Sequence, residues 1–179
     1  EKGETFLAAL DEKQIPYEMH AFDIKELSFN FADLVASDIT DTPFEAQEPS
    51  IAVLKLSEVQ QMYPEYELAR NEAIIMNYVS FFAQFLPIEA GITASFSSEN
   101  QTYEFTIKDV EKKMIVGSAV SGGGSPVLVV ADEVFKEITM QQSIDFKKQY
   151  LVELDEAHVE AATALYDEMG MSKLALNYV

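Results

Sequence analysis

The sequence predicts an α+β fold: an antiparallel sheet of about five strands, packed by one long buried helix and a C-terminal helix. Three observations carry this. Apolar–polar alternation recurs in GITASFSS, TYEFTIKD and KMIVGSAV, separated only by short polar breaks. The run from Glu65 to Leu86 has the length and apolar content of a buried helix. Residues 156–169 place Val159, Ala162, Leu165, Tyr166 and Met169 on one helical side, with Asp155 as N-cap and Gly170 as stop. Strands that follow one another without helices between them imply an antiparallel meander.

In chain order, residues 4–13 read as a short helix with Phe6, Leu7 and Leu10 on one side. Pro16 stops it, and IPYEMHAF then alternates as a half-buried strand. In that reading Ile15, Tyr17, Met19 and Ala21 face the core, while Glu18 and His20 face solvent. FNFADLV fits either a helical turn or a strand, and SDITDTPFEAQEPS is a polar connection. SIAVLKL has strand length and a β-branched start. Ser57 and Glu58 open helical sequence, and Pro64 suits the first turn of the long helix that Pro87 ends. Along that helix Arg70, Asn77, Ser80 and Gln84 form a thin polar stripe on an otherwise apolar body. The breaks ENQ and VEK are of hairpin length. PVLVVAD and KQYLVEL supply two further strands, and the tail SKLALNYV pairs as a strand or docks loosely.

The chain has 179 residues, which fits a single domain, 1–179, with a flexible connection at 121–125. A chain of this size buries roughly 70% of the surface its unfolded form exposes. Its 12 Phe and 8 Tyr supply a core without staples. There are no cysteines, so disulfides, thiolate nucleophiles and Cys-type zinc sites are excluded, and a cytoplasmic location is expected. The first residue is Glu1, which reads as a processed or trimmed start. The longest apolar-dominated stretch, Ala73 to Leu86, is broken by Asn77, Ser80 and Gln84 and falls short of a membrane span.

Charge is the strongest functional signal. The chain carries 31 Asp+Glu against 12 Lys+Arg, a net charge of −19 on a body that is 48% hydrophobic. Self-repulsion of that size opposes compaction, so it constrains partners more than fold. It excludes DNA, RNA and anionic membrane surfaces as direct partners, because those require a basic footprint. Two acidic windows stand out. Asp38, Asp41, Glu45 and Glu48 crowd a stretch with no base between Lys25 and Lys55. Glu153, Asp155, Glu156 and Glu160 crowd the start of the last helix, where acids complement the helix dipole. Neither window has the alternate ligands, central Gly and terminal Glu of a calcium loop.

No catalytic motif is present. Gly117–Ser125 (GSAVSGGGS) has the glycine interval of a phosphate loop, but Gly123 and Gly124 stand where the Lys and Ser/Thr are required. A strand, PVLVV, follows where a helix N-terminus should be. Any His-dependent chemistry must use His20 or His158, and neither has a serine elbow or metal-type spacing beside it. The expectation is therefore a non-enzymatic acidic interaction protein of inhibitor, immunity or adaptor type, without cofactor or metal. Its partner would be a basic protein, docking on Asp38, Asp41, Glu45 and Glu48. Two alternatives stand beside it. One is a small-ligand domain whose apolar cavity is lined by Met76, Tyr78, Phe81, Phe82 and Phe85 of the long helix. The other is an inhibitor that mimics nucleic acid with its carboxylates.

Overall fold

The computed structural model describes residues 2–34, 50–76, 88–113, 115, 126–141 and 147–171. The chain divides into two compact units, residues 22–148 and residues 1–21 with 149–179. The strands are β1 (Glu18–Phe29), β2 (Ser50–Lys55), β3 (Glu72–Met76), β4 (Thr93–Ser97), β5 (Thr102–Val110), β6 (Val127–Val130) and β7 (Lys147–Glu153). The helices are α1 (Lys2–Glu12), α2 (Phe31–Leu34), α3 (Leu56–Val59), α4 (Asp132–Gln141) and α5 (Glu156–Glu168).

The class is α+β as expected, but the sheet has seven strands, in the order β2-β6-β3-β5-β4-β1-β7, and is mixed. β2 pairs with β6, and β3 with β5, in parallel. Parallel neighbours need long crossovers, so a pure meander is ruled out. The second correction concerns the long helix. Residues 72–76 of the 65–86 stretch form β3, and residues 66–69 are irregular. Ala73, Ile74, Ile75 and Met76 are all buried, because β3 lies between β5 and β6 with both of its faces covered. A strand covered on both faces loses its alternation and reads as a continuous apolar run. Lys113 and Ile115, expected in a strand, lie beyond the end of β5. The rest of the long stretch, 77–87, and the glycine segment, 116–125, lie outside the described residues.

Within residues 22–148 the strand order returns on itself. β1 pairs antiparallel with β2 through Lys25–Ser28 and with β4 through Ser28 and Phe29. Ser28 therefore faces Ser50 on one side and Ser97 on the other, and its hydroxyl donates to the Ser97 carbonyl at 3.1 Å. One face of all six strands of this ring meets in a single core. Leu27, Val53, Ile75, Phe96, Phe105 and Leu128 are among its members. Helix α4 adds Val134, Phe135 and Ile138 to that core. The opposite faces of β2, β3 and β6 are buried as well, through Leu54, Ile74, Met76, Val127 and Val129.

The β4–β5 hairpin is as the alternation predicts. Ser98–Gln101 close the turn, with the Ser98 N–H donating to the Gln101 carbonyl at 2.8 Å. The β3–β5 ladder carries a bulge. Ala73 faces Ile107 and Ile74 faces Asp109, so Lys108 is the extra residue. Bulges re-aim side chains, and this one is used, as described below.

In the unit formed by residues 1–21 and 149–179, α1 packs on α5. Phe6 and Leu10 meet Ala162, Leu165 and Tyr166, and the Phe6 and Tyr166 rings lie edge to face at 5.3 Å. These are the sides predicted from spacing. Helix α1 ends on Gln14, whose φ of 56° is left-handed, and the Ile15 N–H donates back to the Leu10 carbonyl at 3.0 Å. Gly170, at φ 63°, ends α5 in the same way, as the sequence predicts. Gly3 faces the ring of Tyr150 so closely that a Cβ there would stand 2.7 Å from Cδ2.

The strand after Pro16 keeps the expected phase at its start, where Ile15 and Tyr17 pack against the α1–α5 core and Glu18 is exposed, and departs from it at Met19 and His20. Met19 is exposed, whereas Phe22 and Ile24 are buried and the His20 side chain is only 14% exposed. The apolar character of Met19 sets the wrong phase in the sequence, because β1 runs on to Phe29 and its buried residues lie further along.

Candidate functional site

Asp38, Asp41, Glu45 and Glu48 lie outside the described residues, as do Tyr78, Phe81, Phe82 and Phe85. Met76 is the one cavity residue described. It is a fully buried strand residue opposite Val127, in β3 rather than on a helix. Of the second acidic window, Glu153, Asp155, Glu156 and Glu160 are all exposed. Asp155 holds the N-cap position, but its side chain makes no capping bond. His20 Nε2 stands 3.9 Å from Glu153 Oε1. His158 is half-buried, and its Nδ1 is buried without a hydrogen-bond partner.

What the structure adds is where the cations go. Arg70, the chain's sole arginine, donates through one nitrogen to both oxygens of Glu137 at 2.7 Å and lies 3.7 Å from Glu133. Glu137 is also the main cause that raises the Arg70 pKa above the ordinary guanidinium value. Lys108, swung out by the bulge, donates to the Glu67 carbonyl at 2.8 Å and to Glu72 at 3.2 Å. The Ala69 N–H and then Lys108 hold the Glu72 carboxyl below the usual range. Lys113 donates to Glu65 Oε1 and to Tyr66 Oη, both at 2.9 Å. Those two groups, Tyr66 first, hold Lys113 above an ordinary lysine. Three cations thus fasten the irregular 60–71 segment, which sequence reasoning assigned largely to helix.

A fourth cation is held deeper. Glu58 of α3 accepts the Asp23 N–H at 3.0 Å and Lys55 Nζ at 2.9 Å, and Lys55 also lies 3.4 Å from Asp23. The two partners shift differently. Its hydrogen bond to Glu58 raises Lys55, whereas burial raises Glu58 in spite of its two donors. Burial decides for Glu58 because its side chain is 9% exposed, against 28% for Lys55.

A groove of about 450 Å³ opens at the carboxyl ends of the parallel strands β2 and β6. Its apolar wall is Leu56, Leu68 and Ala131, and its polar wall is Ser57, Gln60, Arg70, Asp132 and Glu133. The Asp132 carboxylate accepts the Ser57 N–H at 2.9 Å, so the first residue of α4 satisfies an orphan donor at the start of α3. Carboxyl ends of parallel strands are where α/β sheets commonly take ligands. Among the described residues, no three His, Cys, Asp or Glu stand close enough to hold a metal ion. No described helix is long and apolar enough to cross a membrane.

No protein-family model matches the chain, and no curated protein matches it in sequence.

Proposed function

We propose that this is an acidic interaction protein that binds a basic protein partner. The single observation that supports this best is the fate of the cations. Lys55, Arg70, Lys108 and Lys113 are each engaged by a carboxylate of their own unit. With 31 carboxylates against 12 bases, pairing every Lys and Arg in this way would still leave 19 carboxylates without a cation. Exposed carboxylates such as Glu99, Glu104 and Asp109 on the β4–β5 hairpin and Glu156 and Glu160 on α5 carry part of this net charge. A surface of one sign steers an oppositely charged partner and speeds its encounter. The segment holding Asp38, Asp41, Glu45 and Glu48 is one of two blocks of this charge free of bases in the sequence, and the one that no helix start accounts for.

The test is affinity capture from lysate of the source organism at low and moderate salt, followed by reconstitution with the purified captured protein. One basic protein held near stoichiometrically and released by salt supports the reading. An empty column at both salts overturns it. With the partner in hand, reversing Asp38, Asp41, Glu45 and Glu48 to Lys should slow association by about tenfold or more while the melting transition is retained. Unchanged kinetics and salt dependence would remove that segment from the docking surface.

A further inference from the structure

The segment after α3 surrounds a cation with more than a salt bridge. The rings of Tyr63 and Tyr66 stand 6.0 Å apart at 65°. Lys113 Nζ lies 4.9 Å from the first ring centroid and 4.8 Å from the second. The same ammonium donates to the Glu65 carboxylate and the Tyr66 hydroxyl. Two aromatic faces and a carboxylate converging on one point form the arrangement that recognises an ammonium group, because the ring quadrupole and the anion both favour it.

The walls and the occupant come from separate pieces of chain. Tyr66 is buried, and its carbonyl accepts Gln60 Nε2 at 2.8 Å. The Tyr63 N–H donates to the Val59 carbonyl at 2.9 Å. Neither bond involves Lys113, so the backbone that carries both rings is held independently of it. Lys113 lies past the end of β5, and its side chain is 40% exposed. Ion pairs this exposed are weakly held and exchangeable. A cage whose walls rest on separately held backbone, filled by a side chain able to leave it, is a binding site occupied in cis.

We propose that Tyr63, Glu65 and Tyr66 form a receptor for a lysine ammonium of the basic partner, filled in the free protein by Lys113, which yields its place on binding. This rests on the basic-partner reading and names the group recognised. Charge complementarity favours a lysine-bearing protein as occupant, since the chain as a whole carries a net charge of −19.

The probe is Nα-acetyl-lysine methylamide, with the norleucine analogue, which lacks the ammonium, as control. Each is titrated into the full chain while the tyrosine ring signals are followed by NMR. In Lys113→Met the lysine probe should shift the Tyr63 and Tyr66 signals and bind about tenfold tighter than in the unmodified protein. The control should shift neither ring, and adding Glu65→Gln should weaken the probe several-fold. A folded Lys113→Met protein whose ring signals ignore the lysine probe overturns the proposal. If that variant does not fold, the unmodified protein with ¹³C-dimethylated lysines decides. The Lys113 methyl signal, moved upfield by the rings, should return towards its solvent position as probe is added, and a stationary signal overturns the proposal. The two readings fail separately. If capture of the partner is salt-sensitive but Tyr63→Leu leaves its affinity unchanged, the cage falls and the partner reading stands. If the unmodified protein captures no basic protein, the partner reading falls whatever the cage does with the probe.

Discussion

Replacing Glu58 should separate the value of its hydrogen bonds from the cost of its charge. The carboxylate holds the Asp23 N–H and the Lys55 ammonium. Glu58→Ala removes both acceptors at once. An orphaned, partly buried N–H costs about 1–3 kcal/mol. The lost bond to Lys55 adds about 1 kcal/mol, discounted because that ammonium is 28% exposed and water can reach it. The expected loss is therefore about 2–4 kcal/mol. Glu58→Gln keeps a carbonyl acceptor of the same shape and removes the buried charge, so at pH 7 it should stay within about 1 kcal/mol of the parent.

The pH dependence gives the second half of this test. Burial raises the Glu58 pKa in the folded protein, so the native state holds this proton more tightly than the unfolded chain does. The associated stability is fully present below the ordinary glutamate value of about 4.3 and is lost as pH rises through the raised native value. The parent should therefore lose stability relative to Glu58→Gln across that interval, and the two profiles should run parallel outside it. Urea midpoints followed by circular dichroism from pH 4 to pH 8 measure both effects. Parallel profiles throughout, or a glutamine variant as damaged as the alanine variant at pH 7, would refute the reasoning.

Three further predictions concern stability. Gln14→Gly should raise it by about 1 kcal/mol, because φ 56° strains any residue with a Cβ, and thermal melting would show the gain. Gly3→Ala should lower it by about 1–3 kcal/mol, since the new Cβ meets the Tyr150 ring at 2.7 Å, and a chemical-shift change at Tyr150 should accompany the loss. Phe96→Ala should cost about 3–5 kcal/mol by urea unfolding, because its fully buried ring packs at 6.0 Å from Phe29 and 5.9 Å from Phe105.

Elements with a solvent side are legible in this sequence, and elements without one are not. The β4–β5 hairpin alternates because Glu104 and Thr102 face water while Tyr103 and Phe105 do not. Helices α1 and α5 show their apolar sides for the same reason. β3 shows nothing of the kind, since Ala73–Met76 are buried on both faces and a buried strand has no period to read. Helix α4 did have a signal. Val134, Phe135 and Ile138 follow the acidic start Asp132–Glu133 at helical spacing, but the strand expected from PVLVVAD ends at Asp132 and no element is assigned to the residues after it. The tyrosine cage was invisible for a different reason. Tyr63 and Lys113 are far apart in the chain, and only the parallel pairing of β3 with β5 brings their neighbourhoods together.

The closed strand order also sets a schedule for synthesis. β6 sits between β2 and β3, joining Ala52 to Val127 and Ala73 to Val130 across long stretches of chain. Every other neighbour in the ring is made before it, so a nascent chain can hold β2, β1, β4, β5 and β3 in place and still have one gap. Four uncharged residues, Val127–Val130, fill that gap last. Until they leave the ribosome, β2 and β3 present apolar edges that invite pairing with another chain. Such late, distant pairing also places the protein among slow folders. Truncated chains that stop short of Val127 should therefore aggregate rather than remain as smaller soluble domains.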